Sequence, residues 1–325
     1  MLLCCRRLFS IFAVMKYVEW QNKQNRFVAM TGCDVLVFND LLPYFAEAHD
    51  DYLSEYHLTG KRRKGYRKYV MYKNSPLPCM EERLAFILSY LKLNPLQEQH
   101  ADLFGIEQKQ CYEFVHGLRT ILHKALEYAD CMPAQTDKEL QIRLLEFSKA
   151  KEKVLLHDGT EREIPRPQDH EQQKENYSGK KKRHTVKNAV IISAACTVLF
   201  VSQTFSGRVH DKTIADNAYH IPAGFTLLQD SGYQGYTPLD VKIIQPQKKP
   251  KGEDLTQEQK SRNREISADR VRIEHAIGSI KRARIVKDEC RLRKDNFVNN
   301  VFAACAALHN FRLTTKPVNY KNNLT

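Results

Sequence analysis

The chain has 325 residues, 42% of them hydrophobic, with 51 lysines and arginines against 38 aspartates and glutamates. That length supports two domains with real cores, and a formal charge of +13 with a pI near 9.2 calls for a negatively charged partner bound in a strongly salt-dependent way. Nucleic acid leads, because a membrane surface would ask for a basic amphipathic helix with exposed aromatics and none is found.

The nine cysteines (Cys4, Cys5, Cys33, Cys79, Cys111, Cys131, Cys196, Cys290 and Cys305) are odd in number, with no Cys-x-x-Cys pair and no partnered histidine spacing. They read as buried small apolar groups or surface thiols of a reducing cytosol, not as a zinc site or a disulfide framework.

Residues 1–14 are apolar around Arg6-Arg7. They lack the small-residue cleavage site of a secretory signal, so the simpler expectation is a non-native or disordered start with Met15 as initiator. From Met15 to Tyr56 short helices are expected, with Phe27, Val35, Leu36, Phe38, Leu41, Leu42 and Phe45 as apolar positions. Gly60-Lys61-Arg62-Arg63-Lys64-Gly65-Tyr66-Arg67-Lys68 is too basic for a packed face and reads equally as a solvated linker or a phosphate-contacting loop. Past Asn74-Ser75-Pro76-Leu77-Pro78, helical spacing resumes over Met80–Leu93.

Residues 96–126 carry a helix-turn-helix pattern. Ala101 is small where two helices would touch, Gly105 can take the positive φ of the turn, and Phe104, Ile106, Cys111 and Phe114 fill the inner side. Gln108, Lys109 and Tyr112 then face outward on the second helix, where base-edge or phosphate contacts are made. An ordinary helical pair has the same pattern; the net basic charge favours DNA. Residues 15–132 are thus expected to form an all-α DNA-binding domain.

Residues 133–153 read as a helical linker, with its helix over Asp137–Lys149. Beyond it the character changes, and residues 154–313 read as a catalytic domain followed by a tail, 314–325. A short strand Val154–Leu156 ending at Asp158, a hairpin of His184–Ala194 with Thr197–Gln203, a helix Asp211–Ala218, strands Phe225–Leu228 and Val241–Gln245, and helices Leu255–Arg284 and Asn296–Arg312 are expected. That order is a mixed five-stranded sheet with helices packed on it, an α/β domain.

The chemistry rests on three carboxylates. Asp158 and Asp230 follow apolar strands, and Glu274 lies in a strongly basic helix. At about 100° per residue, Arg270, Glu274 and Lys281 fall within ~40° of one another, while Ile266, Ile273, Ile277 and Ile280 form a separate apolar stripe. Hard oxygen ligands of this kind suit Mg²⁺ or Mn²⁺, and two ions about 3.5–4 Å apart can serve phosphodiester cleavage and strand transfer. Taken singly, Asp158-Gly159 and Asp230-Ser231-Gly232 are good turn sequences, and Glu274 suits a solvated pair with Arg270; the joint arrangement favours the metal reading. Asp211 competes with Asp230 for the second position, although a helix N-cap explains it more simply. His210 is expected to pack or to hydrogen-bond behind the site. Lys180, Lys181, Lys182 and Arg183 can grip phosphates or form a solvated strand edge.

These residues resemble a family. Asp158-Gly159-Thr160, Tyr177-Ser178-Gly179-Lys180-Lys181-Lys182, Ser206-Gly207-Arg208-Val209-His210-Asp211, Asp230-Ser231-Gly232-Tyr233-Gln234-Gly235, Arg270-x3-Glu274-x6-Lys281 and Leu308-His309-Asn310-Phe311-Arg312 are similar to segments of the DDE transposases of bacterial insertion sequences, the insertion sequence five group, itself similar to eukaryotic Harbinger transposases. The resemblance runs from about Phe27 to Leu313; one departure is Ser206, where the family often has proline or a similar residue. It implies an RNase H-like catalytic domain after the helix-turn-helix, with Asp158, Asp230 and Glu274 as ligands to Mg²⁺ or Mn²⁺, as two ions. It further implies Arg270 and Lys281 on transposon-end DNA or phosphates, and Tyr233 beside the second aspartate. The implied partners are double-stranded DNA, at terminal inverted repeats and target, and further copies of the chain, with no membrane; the implied place is the cytoplasm, at the bacterial nucleoid. The alternative is a domesticated or inactive descendant that only binds DNA, against which the three carboxylates argue. An RNase H-like nuclease for RNA hybrids would want a fourth carboxylate, for which only Asp269 and Asp288 remain open.

Overall fold

The computed structural model describes residues 17–72, 74–149, 153–250, 252, 254–292 and 296–317. The expectations for residues 1–14, Met15 and most of the tail lie outside them. The chain divides into two compact units. One runs to Asp130 and includes Ala283–Ile285, and the other comprises Cys131–Arg282 and the residues from Val286 onward. Among the described residues no helix is long and apolar enough to cross a membrane.

The first unit is all helical: α1 (Tyr17–Gln21), α2 (Gln24–Thr31), α3 (Val35–Glu55), α4 (Met80–Leu93), α5 (Gln97–Phe104) and α6 (Gln108–Tyr128). Trp20, Phe27, Phe38, Phe45, Phe86 and Leu118 are fully buried. Asp34 starts α3 by accepting the Val37 N–H at 3.0 Å. Gly105 ends α5 at φ 63, and the Ile106 N–H returns to the Ala101 carbonyl at 3.0 Å, which turns the chain directly into α6. In mid-α6, a Cβ on Gly117 would sit 2.4 Å from Leu58 Cδ2 and 2.6 Å from its carbonyl oxygen, so only glycine permits this approach. The basic run after α3 is an exposed loop folded back on that helix, with Arg63 Nε donating to the Leu53 carbonyl at 2.8 Å.

The second unit comprises α7 (Asp137–Lys149), β1 (Val154–Glu163), α8 (His170–Asn176), β2 (Tyr177–Ser178), β3 (Arg183–Ser193), β4 (Val198–Val201), β5 (Phe205–Ser206), α9 (Asp211–Ala218), β6 (Thr226–Gln229), β7 (Lys242–Ile244), α10 (Gln257–Ile280) and α12 (Phe297–Thr315), while the one-turn α11 (Arg284–Lys287) is divided between the two units. The main path of the sheet is β4-β3-β1-β6-β7, with the two-residue β2 and β5 also on the outer edge of β3. β3 runs antiparallel to β1 and β4, while β1, β6 and β7 run parallel. Residues 189–193 and 198–201 are buried throughout, which is why β3 and β4 read as continuous apolar runs.

Two expectations change here. Asp158-Gly159 is no turn: β1 continues five residues past Asp158, because β3 pairs with it from Leu155↔Ser193 to Glu163↔Thr185. The helix α7 packs Leu140 and Leu144 into the second unit's core, with Leu155, Ile191, Phe200 and Ile214, so its apolar face is satisfied within that unit.

The outer edge of β4 is closed without another strand. Ala134 exchanges backbone hydrogen bonds with Leu199 and Val201, each at 2.9 Å. The Asn310 side chain, from α12, accepts from the Val198 N–H at 2.8 Å and donates to the Val198 and Cys131 carbonyls at 2.9 and 3.0 Å. One amide thereby does the work of a neighbouring strand. Asn310→Ala is expected to cost about 2–4 kcal/mol, since it strands three buried backbone groups. Urea unfolding of the second unit measures this, and a loss below ~1 kcal/mol would show that water replaces the amide.

Candidate active site

Unequal strand lengths open the site. Parallel pairing of β1 with β6 stops at His157↔Gln229, and β6 then breaks into a single 3-10 turn, Ser231–Tyr233, capped by Asp230, whose Oδ1 accepts the Ser231 N–H at 2.7 Å. Asp230 therefore occupies its turn and also reaches the site; the two readings of that segment are compatible. β1 goes on alone on this side, and its edge borders a cleft of about 430 Å³ lined by Asp158, Gly159, Thr160, Glu161, Lys180, Lys181, Lys187, Asp211, Asp230, Glu274, Ile277, Gly278 and Lys281.

Helix α10 forms the opposite wall. A capping box between Thr256 and Gln259 starts it. The expected stripe of Ile266, Ile273, Ile277 and Ile280 is buried, which turns Arg270, Glu274 and Lys281 toward the carboxylates. Arg270 is only 11% exposed, and its guanidinium lies between two of them, with Nη1 3.3 Å from Asp230 Oδ1 and Nη2 4.0 Å from Asp158 Oδ2. Lys281 Nζ donates to the Glu161 carbonyl at 3.4 Å, and burial lowers its pKa.

Burial pushes the Asp158 carboxyl up to about 6. The Gly159 N–H and Arg270 oppose the shift, and the charges of Asp230 and Glu274 add to it. At 21% exposure this carboxylate is held where water cannot fully solvate it. The donor chemistry fits a hard divalent ion, with carboxylate oxygens on one cleft and two of them already sharing one cation. Among the described residues no three histidine, cysteine, aspartate or glutamate side chains stand close enough together to hold a metal as they are. The shared cation is the arginine's.

Asp211 shares the cleft, but with its own partner. Lys187 Nζ, from β3, donates to Asp211 Oδ1 at 3.2 Å and to the Val209 carbonyl at 3.0 Å. The expectation that Asp211 caps α9 is corrected: His210 is the N-cap, its Nδ1 accepting the Lys212 N–H at 3.3 Å, which leaves the Asp211 carboxylate to the cleft. His210 is exposed and neither packs nor backs the site.

Beneath the aspartates lies a buried aromatic floor. Tyr233 is buried, its ring 3.9 Å from that of His157, and His157 Nε2 meets the Tyr219 hydroxyl. Complete burial pushes His157 down to about 3, so it stays neutral. A Cβ on Gly159 would stand 3.2 Å from the Tyr233 hydroxyl oxygen and 3.4 Å from Asp211, so glycine lets that floor close against β1.

Lys180, Lys181, Lys182 and Arg183 are all exposed at the turn into β3; Lys180 and Lys181 line the cleft, whereas Arg183 pairs with Glu163 at 2.7 Å. In the first unit, Gln108, Lys109 and Tyr112 are exposed at the start of α6. Sequence reasoning missed Lys187, Thr160 and Glu161. Lys187 carried a weak signal, a charge just before the apolar run Ala189–Ile192 of β3, but its partner depends on where α9 lands.

Residues 157–310 match the family model of the DDE superfamily endonuclease. Residues 75–127 match the helix-turn-helix of DDE superfamily endonuclease, a span that holds α5, Gly105 and α6 up to Glu127. A curated protein of Microchaete diplosiphon, described as the probable transposase for insertion sequence element IS702, is 31% identical over 170 residues, which are 51% of this chain and 60% of that protein. This chain thus spans less than two thirds of its relative's length. No solved structure matches it. The DDE endonuclease match contains all three carboxylates, together with Asp211, Arg270 and Lys281.

The raised Asp158 pKa has a consequence for stability. Between the ordinary value of 3.8 and about 6, the folded chain holds more protons than the unfolded one, so stability falls as pH rises through that window. Asp158→Asn is therefore expected to stabilise the chain, freed of metal by chelator, by about 1–3 kcal/mol at pH 7. The gain should disappear below about pH 4. Thermal unfolding across pH checks this, and a destabilised variant at pH 7 would contradict it.

Proposed function

We propose that the protein is a metal-dependent DNA transposase that cleaves and joins the ends of its own mobile element. The carrying observation is the cleft in which Asp158 and Asp230 share one cation while Glu274 lines the facing wall, inside the span that matches the DDE superfamily endonuclease. The sheet order supports an RNase H-like fold for residues 154–313: a central strand, an antiparallel neighbour on one side and two parallel strands on the other. Insertion sequence five and Harbinger-like relationship is the finer reading of the motifs, and residues 15–132 are read as the DNA-binding domain.

Asp158, Asp230 and Glu274 would hold Mg²⁺ or Mn²⁺, as two ions. Such ions supply activation of the attacking water or 3′-hydroxyl and charge stabilisation at the leaving oxygen. The chain's own residues do the positioning. β1 and the turn after β6 bring the two aspartates to one cation, and the isoleucine stripe of α10 turns Glu274 toward the cleft that they line. Lys180, Lys181 and Lys281 place positive charge along the cleft for the phosphate backbone, and the buried Tyr233 floor keeps water from beneath the carboxylates. Gln108, Lys109 and Tyr112 read the terminal inverted repeat from the first unit. Joining two ends calls for more than one copy on the DNA, at the nucleoid in the cytoplasm.

Asp158→Asn, Asp230→Asn and Glu274→Gln should each reduce Mg²⁺-dependent cleavage of the element's own end by about 10³-fold or more, with end binding unchanged. Cleavage by Asp158→Asn at the wild-type rate would remove this site from the reaction. Lys109→Ala should weaken duplex binding and lower the slope of log affinity against log salt by about 1; an unchanged slope would take Lys109 off the phosphate backbone.

A further inference from the structure

An arginine that pairs strongly with a carboxylate does so through two parallel N–H bonds to one partner. In Arg270 the fork is split. Nη1 faces Asp230 at 3.3 Å and Nη2 faces Asp158 at 4.0 Å, while Nε is buried with no hydrogen-bond partner. The guanidinium makes one hydrogen bond, to Asp230, and gives Asp158 only charge neutralisation. Such a contact holds like charges together in their own absence of a stronger cation, yet yields readily to one of higher charge. Asp211 differs, since its partner Lys187 is not shared with Asp158 or Asp230 and is anchored by a second bond to the Val209 carbonyl. Of the carboxylates around the cleft, it is the pair spanned by Arg270 that a competing cation would release.

We propose that Arg270 is the internal counter-ion of the metal centre: it neutralises Asp158 and Asp230 while no ion is bound, and metal binding displaces it toward a phosphate of the DNA. This rests on the reading of those carboxylates as metal ligands. Arg270 is then a positioning residue, coupling metal uptake to capture of the substrate. It lies four residues before Glu274 on the same face of α10, and Glu274 lines the cleft. Substrate phosphate and metal would favour the same displaced rotamer, so each should raise the affinity for the other.

The test is Mn²⁺ binding to the full-length chain, followed by electron paramagnetic resonance with and without a duplex carrying the element's end. Arg270→Gln removes the competing charge and should bind Mn²⁺ more tightly than wild type, on the order of ten-fold. It should also lose the duplex-induced gain in Mn²⁺ affinity. Arg270→Lys, whose single ammonium cannot span both aspartates, should fall between the two. Thermal unfolding reports whether each variant is folded. A folded Arg270→Gln that binds Mn²⁺ equally or less tightly makes Arg270 a structural brace and overturns the proposal. If Arg270→Gln fails to fold, Arg270→Lys decides: tighter binding than wild type supports the counter-ion, and equal or weaker binding overturns it. Asp158→Asn separates the two levels of inference. Should no Mn²⁺ site sensitive to that substitution exist in wild type, the metal-centre reading itself falls, and the counter-ion role falls with it.

Discussion

The second unit depends on a mismatch of strand lengths. β1 keeps its antiparallel partner β3 for nine residue pairs but its parallel partner β6 for only four. Backbone pairing on one side keeps the strand straight past Asp158, and the loss of pairing on the other side leaves an edge that must be covered or used. Here it is used: the side chains just past the last β1–β6 pair, Asp158 on one strand and Asp230 on the other, border one cleft. Parallel strands whose pairing stops at one register bring the residues just past it to one place, as at the carboxyl ends of α/β sheets.

Holding those carboxylates near each other opposes folding. Burial and mutual repulsion raise Asp158 to about 6, and the surrounding cations offset part of the cost. Arg270 spans Asp158 and Asp230, Lys187 takes Asp211, and Lys281 stands at the Glu161 carbonyl. The rest of the unit is built to resist the strain. α7 and α9 close one face of the sheet over Tyr219 and Tyr233, and on the other face Arg162 reaches from β1 to the Val298 carbonyl at 2.9 Å and over the Phe302 ring. A rigid frame around an electrostatically unfavourable centre is the arrangement expected where a site is shaped for a cation and an anionic substrate.

The first unit solves a different problem with two glycines. Gly105 takes the left-handed conformation that lets three residues join α5 to α6, and Gly117 removes the side chain that would collide with Leu58. Together they fix the direction of α6 and so the exposure of Gln108, Lys109 and Tyr112. The excess positive charge of the chain supplies affinity for any polyanion; such a helix end can supply selectivity.

Local pattern alone settled what local physics decides. The bounds of Asp137–Lys149 and Asp211–Ala218 follow from helical periodicity and their flanking residues, the isoleucine stripe of α10 from the 3.6-residue repeat, and the helix-turn-helix from Ala101 and Gly105. Asp158, Asp230 and Glu274 line one cleft, and what pointed to them in the sequence is strand-then-aspartate twice with a lone glutamate in a basic helix. Only the tertiary structure decided that Asp158-Gly159 lies within a strand, since that depends on hydrogen bonds to residues 189 and 190, some thirty positions away. It likewise assigned Asp211 to Lys187 and Asp230 to Arg270. A charge's partner is set by which side chains reach it once the sheet is assembled, and neither composition nor spacing along the chain carries that distance.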